Sequence, residues 1–184
     1  MHVKSYLSET AEICALLDAE AIERMAEALS KIKGRIYLIG LGGSLANCIH
    51  MAADLRKLCG LDAIAPNLAE MTAWINDEGP ANAFTGYLTR MTKNDALFIL
   101  SVGGGRVVIS PGITVSVRAA KKMEIQIFGI VGPEGGETAK LGDYVIKIPI
   151  MNSEHITPHT EAFQAVIWHC LVSHPLLQKS PTKW

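Results

Sequence analysis

The sequence predicts an α/β protein whose parallel sheet is covered by helices on both faces. Three observations carry that expectation. β-rich runs alternate with segments of helical periodicity along the chain, the pattern of βαβ units. Several of those runs are continuously apolar, as strands buried on both faces are. The composition is apolar for its size: of 184 residues 49% are hydrophobic and only 19% are charged, against a usual share of about 25%. That surplus is accounted for by a two-sided sheet or by burial against another subunit.

Each element has its own local signal. The first thirty residues read as helix. Leu7, Ala11, Cys14 and Leu17 recur at helical spacing, and Asp18 reads as an N-cap that restarts the helix for Ile22, Met25, Ala26 and Leu29. Gly34 stops it. Residues 35–40 form a short β-rich run that ends in the turn Gly40-Leu41-Gly42-Gly43-Ser44, and a helix over 45–58 follows, ending at Gly60. Residues 62–66 read as a weak strand, 67–74 as a short helix, 76–80 as a loop and 81–91 as a helix. The strongest strand, 96–102, runs directly into Gly103-Gly104-Gly105. Ser110 reads as an N-cap before Pro111, since proline suits the first helical turn. Then come a strand over 125–131, a short helix opened by Gly135-Gly136, and a strand over 144–150. Thr157-Pro158 caps a last helix that ends before Pro175. No repeat or linker divides the chain. Residues 1–184 read as one domain, with N-terminal helices over 1–33, an αβα core over 34–177 and a polar, frayed tail over 178–184.

Several classes of function are excluded at this level. A net charge of -1 argues against a broad nucleic-acid binder, which needs a basic face. No apolar run approaches the ~18–20 residues of a membrane-crossing helix. The N-terminus carries acids and hydroxyls where a secretory signal is apolar, so a cytoplasmic chain is expected. Cys14, Cys48, Cys59 and Cys170 show no metal-binding spacing, and three of them read as small buried hydrophobes with reduced thiols.

Two strands end in glycine-rich turns that feed helices. Such turns expose backbone N–H groups beside the positive end of a helix dipole, which suits an anion such as phosphate. The first turn, at Gly42, Gly43 and Ser44, is neither the dinucleotide fingerprint, because Leu45 fills the third glycine position, nor a P-loop. The second is Ser101-Val102-Gly103-Gly104-Gly105. Ser44 and Ser101 suit a phosphate or a helix cap equally. The turn after Glu134 reads as structural, because an acid there repels phosphate.

Four further residues combine imidazole and carboxylate. His50 and Asp54 are four apart on one helix and share a face. Glu161 and His169 are eight apart on the last helix, offset by about 80° at ~3.6 residues per turn. The set fits a zinc or similar divalent site and a general acid/base set equally well. His50 also reads as a half-buried packed histidine, Asp54 as a partner of Arg56 or Lys57, and Glu161 as an acid favoured by the helix dipole. His155, His159 and His174 read as surface or capping residues.

In order along the chain, these motifs resemble phosphoheptose isomerases, which are sugar-isomerase (SIS) domain proteins. Gly40-Leu-Gly-Gly-Ser44 with His50-Met-Ala-Ala-Asp54 is similar to their glycine turn and following helix. Asn76-Asp77 resembles their Asn-Asp loop, and Ile99-Leu-Ser-Val-Gly-Gly-Gly105 their phosphate loop. Thr160-Glu-Ala-Phe-Gln-Ala-Val-Ile-Trp-His169 resembles their last catalytic helix. The resemblance implies a three-layer αβα sandwich, flavodoxin-like, with a five-stranded parallel sheet preceded by N-terminal helices. It implies a homotetramer with sites at subunit contacts, and conversion of sedoheptulose 7-phosphate to D-glycero-D-manno-heptose 7-phosphate. By position it implies His50, Asp54, Glu161 and His169 as ligands of zinc or another divalent metal, with Asp54 and His169 as the acid/base pair. Ser44, Ser101 and the amides of Gly103 and Gly104 would hold the phosphate, and Asn76 and Asp77 would face the sugar. A non-catalytic phosphosugar-binding regulator is the alternative; it needs the glycine loops but not the four converging residues.

The chain departs from the family pattern at defined places. Asp54 stands where Glu is usual and Glu161 where Gln is common. Leu41 replaces an Asn, and Gly103 and Arg106 replace two serines of the phosphate loop. Arg106 has two readings, a direct phosphate ligand or a solvent-facing side chain.

Overall fold

A computed structural model of the chain describes residues 1–182. Two helices, α1 (His2–Leu16) and α2 (Ala19–Leu29), precede the first strand, β1 (Ile36–Ile39). Then follow α3 (Gly43–Cys59), β2 (Ala63–Ile64), α4 (Leu68–Glu78), α5 (Thr85–Leu88) and β3 (Ala96–Ser101). The chain closes with α6 (Pro111–Lys122), β4 (Gln126–Val131), α7 (Gly136–Leu141), β5 (Tyr144–Lys147) and α8 (Ile156–Val172).

All five strands are parallel, in the order β2-β1-β3-β4-β5. Successive strand residues point to opposite faces, so Ile36 and Leu38 enter one core while Tyr37 and Ile39 enter the other. The first core lies under α2, α3 and α8, and the second under α5 and α6. Phe98, Phe128 and Tyr144 are register partners across three strands, with ring centroids 5.9 and 5.2 Å apart. The expected two-sided parallel sheet is therefore present, and it absorbs much of the apolar surplus.

The strand order also decides where a ligand goes. From β1 the chain crosses to β2 on one side and returns to β3 on the other. In open α/β sheets the crevice beyond the carboxyl ends of two such strands is the usual binding site. Both glycine-rich turns, after Ile39 and after Ser101, lie at that switch point.

Several local expectations are corrected. Asn76, Asp77 and Glu78 form the last turn of α4, because the chain turns only at Gly79, whose φ is 85°. Residues 81–91 are a 3-10 turn, Pro80–Asn82, and the four-residue α5. The weak strand is two residues long. Asp18 caps α2 through its side chain, as expected, accepting from the Ala21 amide at 2.9 Å. Ser110 is the N-cap residue of α6, as expected, but its side chain makes no capping bond; its Oγ accepts from the Arg106 amide at 2.9 Å and closes the loop before that helix. Helix α1 docks through Tyr6, Glu9, Thr10, Ile13 and Leu17, leaving Leu7 and Cys14 exposed. Only Cys48 and Cys59 are buried; Cys14 and Cys170 are exposed. The tail begins anchored, since the Lys179 and Ser180 amides donate to the Leu58 carbonyl; residues 183–184 lie outside the described residues. Among the described residues no helix is long and apolar enough to cross a membrane.

Candidate functional site

Helices α3 and α8 lie side by side and run in the same direction. Asn47 Nδ2 donates to the Glu161 carbonyl at 2.9 Å and to Gln164 Oε1 at 3.1 Å. Gln164 Nε2 donates to Ser44 Oγ at 3.1 Å, and the His50 ring lies 4.7 Å from Trp168. Positions near 44 therefore face 161–164, and positions near 50 face 168–169.

This pairing brings three of the four predicted residues together. His50 Nε2 lies 3.6 Å from Asp54 Oδ2, one turn along α3. The rings of His50 and His169 stand 5.5 Å apart at 87°. One donor atom from each of His50, Asp54 and His169 lies within 4.8 Å of the others. His50 is 61% exposed and His169 is exposed, whereas Asp54 is mostly covered at 17%. His169 Nδ1 donates to the Ala165 carbonyl at 2.8 Å, since a carbonyl only accepts. In the neutral ring that leaves the lone pair on Nε2, and it fixes the ring plane as an outer hydrogen bond fixes a metal-binding imidazole.

Glu161 is not part of this cluster. Eight helical residues rise about 12 Å, and its carboxylate is not among the donor atoms gathered within 4.8 Å of one another. Its carboxylate packs instead over Gly43, where a Cβ would come within 2.3 Å of Oε2. That places an anion at the N-terminus of α3, which its dipole favours. The trio is thus His50, Asp54 and His169, and Glu161 marks the far end of the same crevice beside Gly42 and Gly43.

The glycine loops differ in what they offer. Ser44 is buried, and its Oγ accepts from Gln164. Ser101 is buried, and its Oγ accepts from the Gly104 amide at 3.0 Å, leaving its O–H proton to donate. Gly104 has φ 62° and lies so close to Gly135 that a Cβ would meet the Gly135 oxygen at 1.9 Å. The amides of Glu137 and Thr138 donate to the carbonyls of Gly105 and Gly104, so the start of α7 is satisfied by the second loop. That confirms the turn after Glu134 as structural. Arg106 pairs with Glu134 at 2.6 Å, so in this structure its guanidinium has a protein partner. Asn76 and Asp77 are exposed on α4, with Asn76 Nδ2 donating to Asp77 Oδ1 at 2.8 Å.

Sequence reasoning missed two features. Gln164 is completely buried and ties Ser44 and Asn47 to α8; a polar residue on the apolar face of that helix was its signal. His155 and His159 are not surface residues, for both hydrogen-bond Glu9 of α1. Their i, i+4 spacing was a signal, but the partner is too distant in the chain to be read. His174 pairs with Glu23 at 2.9 Å.

Known proteins resemble the chain over most of its length. A protein of Sulfurimonas denitrificans named phosphoheptose isomerase is 30% identical over 160 residues, spanning 83% of this chain and 78% of that one. The solved phosphoheptose isomerase of Francisella tularensis superposes with a TM-score of 0.80 at 23% identity, covering 93% of this chain and 94% of that one. The enzyme of Neisseria gonorrhoeae does so with a TM-score of 0.78 at 22% identity, covering 93% and 95%. At those identities the superpositions establish the fold alone. No protein-family model matches the chain.

Proposed function

This chain belongs to the phosphoheptose isomerase family, and we propose that it converts sedoheptulose 7-phosphate to D-glycero-D-manno-heptose 7-phosphate by metal-assisted enediol chemistry. The observation that carries the reading is the convergence of His50, Asp54 and His169 with the His169 Nδ1 proton committed to Ala165. Moving a carbonyl from C2 to C1 requires taking a proton from C1 and returning it to C2. The Asp54 carboxylate is assigned that transfer. His169 Nε2 is assigned the proton that moves between the two oxygens, a task that suits a ring nitrogen with a free lone pair.

Two imidazole nitrogens and one carboxylate are a suitable donor set for zinc or a similar divalent ion, and the exposure of His50 leaves room for substrate. His50 and Asp54 would hold it together with His169, whose single free lone pair on Nε2 serves either the ion or the proton but not both at once. Such an ion polarises the carbonyl and offsets the charge of the enediolate. The phosphate is assigned to the second glycine loop, where Ser101 donates its O–H and Gly103 and Gly104 shape the turn. Glu161, with Asn76 and Asp77, is assigned to the sugar hydroxyls. A homotetramer is part of the proposal, supported by exposed Val3, Leu7 and Leu16 on α1 and by Ile49 and Val166 beside the trio.

The test is incubation with sedoheptulose 7-phosphate, with and without a chelator, and detection of the aldose. Turnover that the chelator suppresses is expected. Phosphosugar binding with no turnover overturns the enzyme and leaves the regulator.

A further inference from the structure

A second cluster of donors, separate from the trio, joins the first helix to the last. Glu9 lies on the docked face of α1, a position where a charge is costly unless partnered. It meets His155, the N-cap of α8, and His159 in that helix's first turn. Glu9 Oε2 lies 2.7 Å from His155 Nδ1 and 2.9 Å from His159 Nε2. Its other oxygen accepts from Asn152 Nδ2 at 3.3 Å and from Ser5 Oγ at 3.4 Å. Asn152 Nδ2 also lies 3.2 Å from His155 Nδ1. The three donor atoms lie within 4.8 Å of one another.

The surroundings hold these groups in place. Side-chain exposure is 4% for His159, 12% for Glu9 and 18% for His155. Tyr6 stacks on His159 at 4.3 Å and meets His155 edge-on at 5.2 Å. His2 lies edge-on to His155 at 5.6 Å. Two imidazoles four residues apart, facing one carboxylate oxygen across a helix–helix contact, form a rigid three-donor set.

We propose that Glu9, His155 and His159 form a second, structural site for a zinc-like divalent cation that pins α1 to the start of α8. Nitrogen donors with one carboxylate select zinc, cobalt, nickel or copper over magnesium and calcium, which require oxygen cages. The cluster is largely covered, with His159 buried and Glu9 and His155 partly so, and its three protein donors leave a fourth tetrahedral position to water. The inference is independent of the reaction proposed above.

The test uses the full chain with the exposed pair removed, His50→Gln with His169→Gln, stripped of metal and titrated with zinc sulfate at neutral pH. One equivalent per chain is expected. The melting temperature is expected to rise by about 5–10 °C at zinc a hundredfold above Kd. Adding His155→Gln and His159→Gln should abolish both effects. No uptake at about a hundred micromolar zinc overturns the site, as does uptake that survives the added substitutions. If that quadruple variant does not fold, Glu9→Gln in the same background replaces it. Its amide retains the contact without the charge, and undiminished uptake overturns the proposal. Cobalt substituted into the native chain gives an independent readout: His155→Gln should weaken its visible absorption, and an unchanged spectrum overturns the site.

Discussion

Helix α8 carries a histidine–carboxylate cluster at each end, and the two are built in opposite ways. At its C-terminal end, His169 stands 5.5 Å ring to ring from His50, which is 61% exposed and lies 3.6 Å from Asp54. At its start, His155 and His159 close on one oxygen of Glu9 at 2.7 and 2.9 Å, with His159 4% exposed. The same residue types therefore serve different ends. A cluster with open positions has room for a substrate to complete it. A covered cluster has its donors already converged on one another, so an ion there leaves no room for a substrate and its effect is on structure.

The comparison breaks most directly at His169. His169→Gln should lower kcat by about 10²–10⁴-fold with the melting temperature unchanged, measured on sedoheptulose 7-phosphate. Native turnover in that variant removes the catalytic role from this end of α8. Chelation of the native protein should lower turnover by at least about a hundredfold and added zinc should restore it; a chelator-resistant rate leaves Asp54 and His169 to act without an ion. At the other end the expected effect is on stability. His159→Leu leaves Glu9 short of a donor and removes the Tyr6 stack, and should cost about 1–3 kcal/mol in urea unfolding, whereas His50→Ala should stay within about 0.5 kcal/mol. Equal losses would erase the contrast.

The smallest effect sharpens the difference in access. Cys170, next to His169, is exposed, while Cys48, two residues before His50, is buried, and burial pushes its thiol up. Burial likewise raises Cys59 to about 11, and nearby Asp54 adds to it. In native protein Cys14 and Cys170 should react with a thiol reagent at neutral pH, and Cys48 and Cys59 only after unfolding. Prompt modification of Cys48 would show that the inner side of α3 opens.

The parts of the site that were legible in the sequence are those encoded by spacing along one element. His50 and Asp54 share a helical face because they are four apart. Ser101 ends a strand and Gly103–Gly104 follow it because an apolar run stops there. Asn76 and Asp77 were misplaced because Gly79, not Asn76, carries the positive φ that ends α4. Glu161 joins the set by angular offset and by the resemblance, and neither of these shows that its carboxylate settles over Gly43.

By itself, the sequence determined the alternation of strands and helices, the two-sided burial of the sheet and the chemistry available to the crevice. Each of these follows from periodicity and residue type within about twenty neighbours. Only the tertiary structure decided that α3 and α8 run in the same direction. That direction seats Glu161 over Gly43 and gathers His169 with His50 and Asp54. Only it brought Glu9 to His155 and His159, 146 and 150 residues away. Such pairings depend on which helix faces pack together over the sheet, a choice settled by the whole core and not by any local stretch of chain.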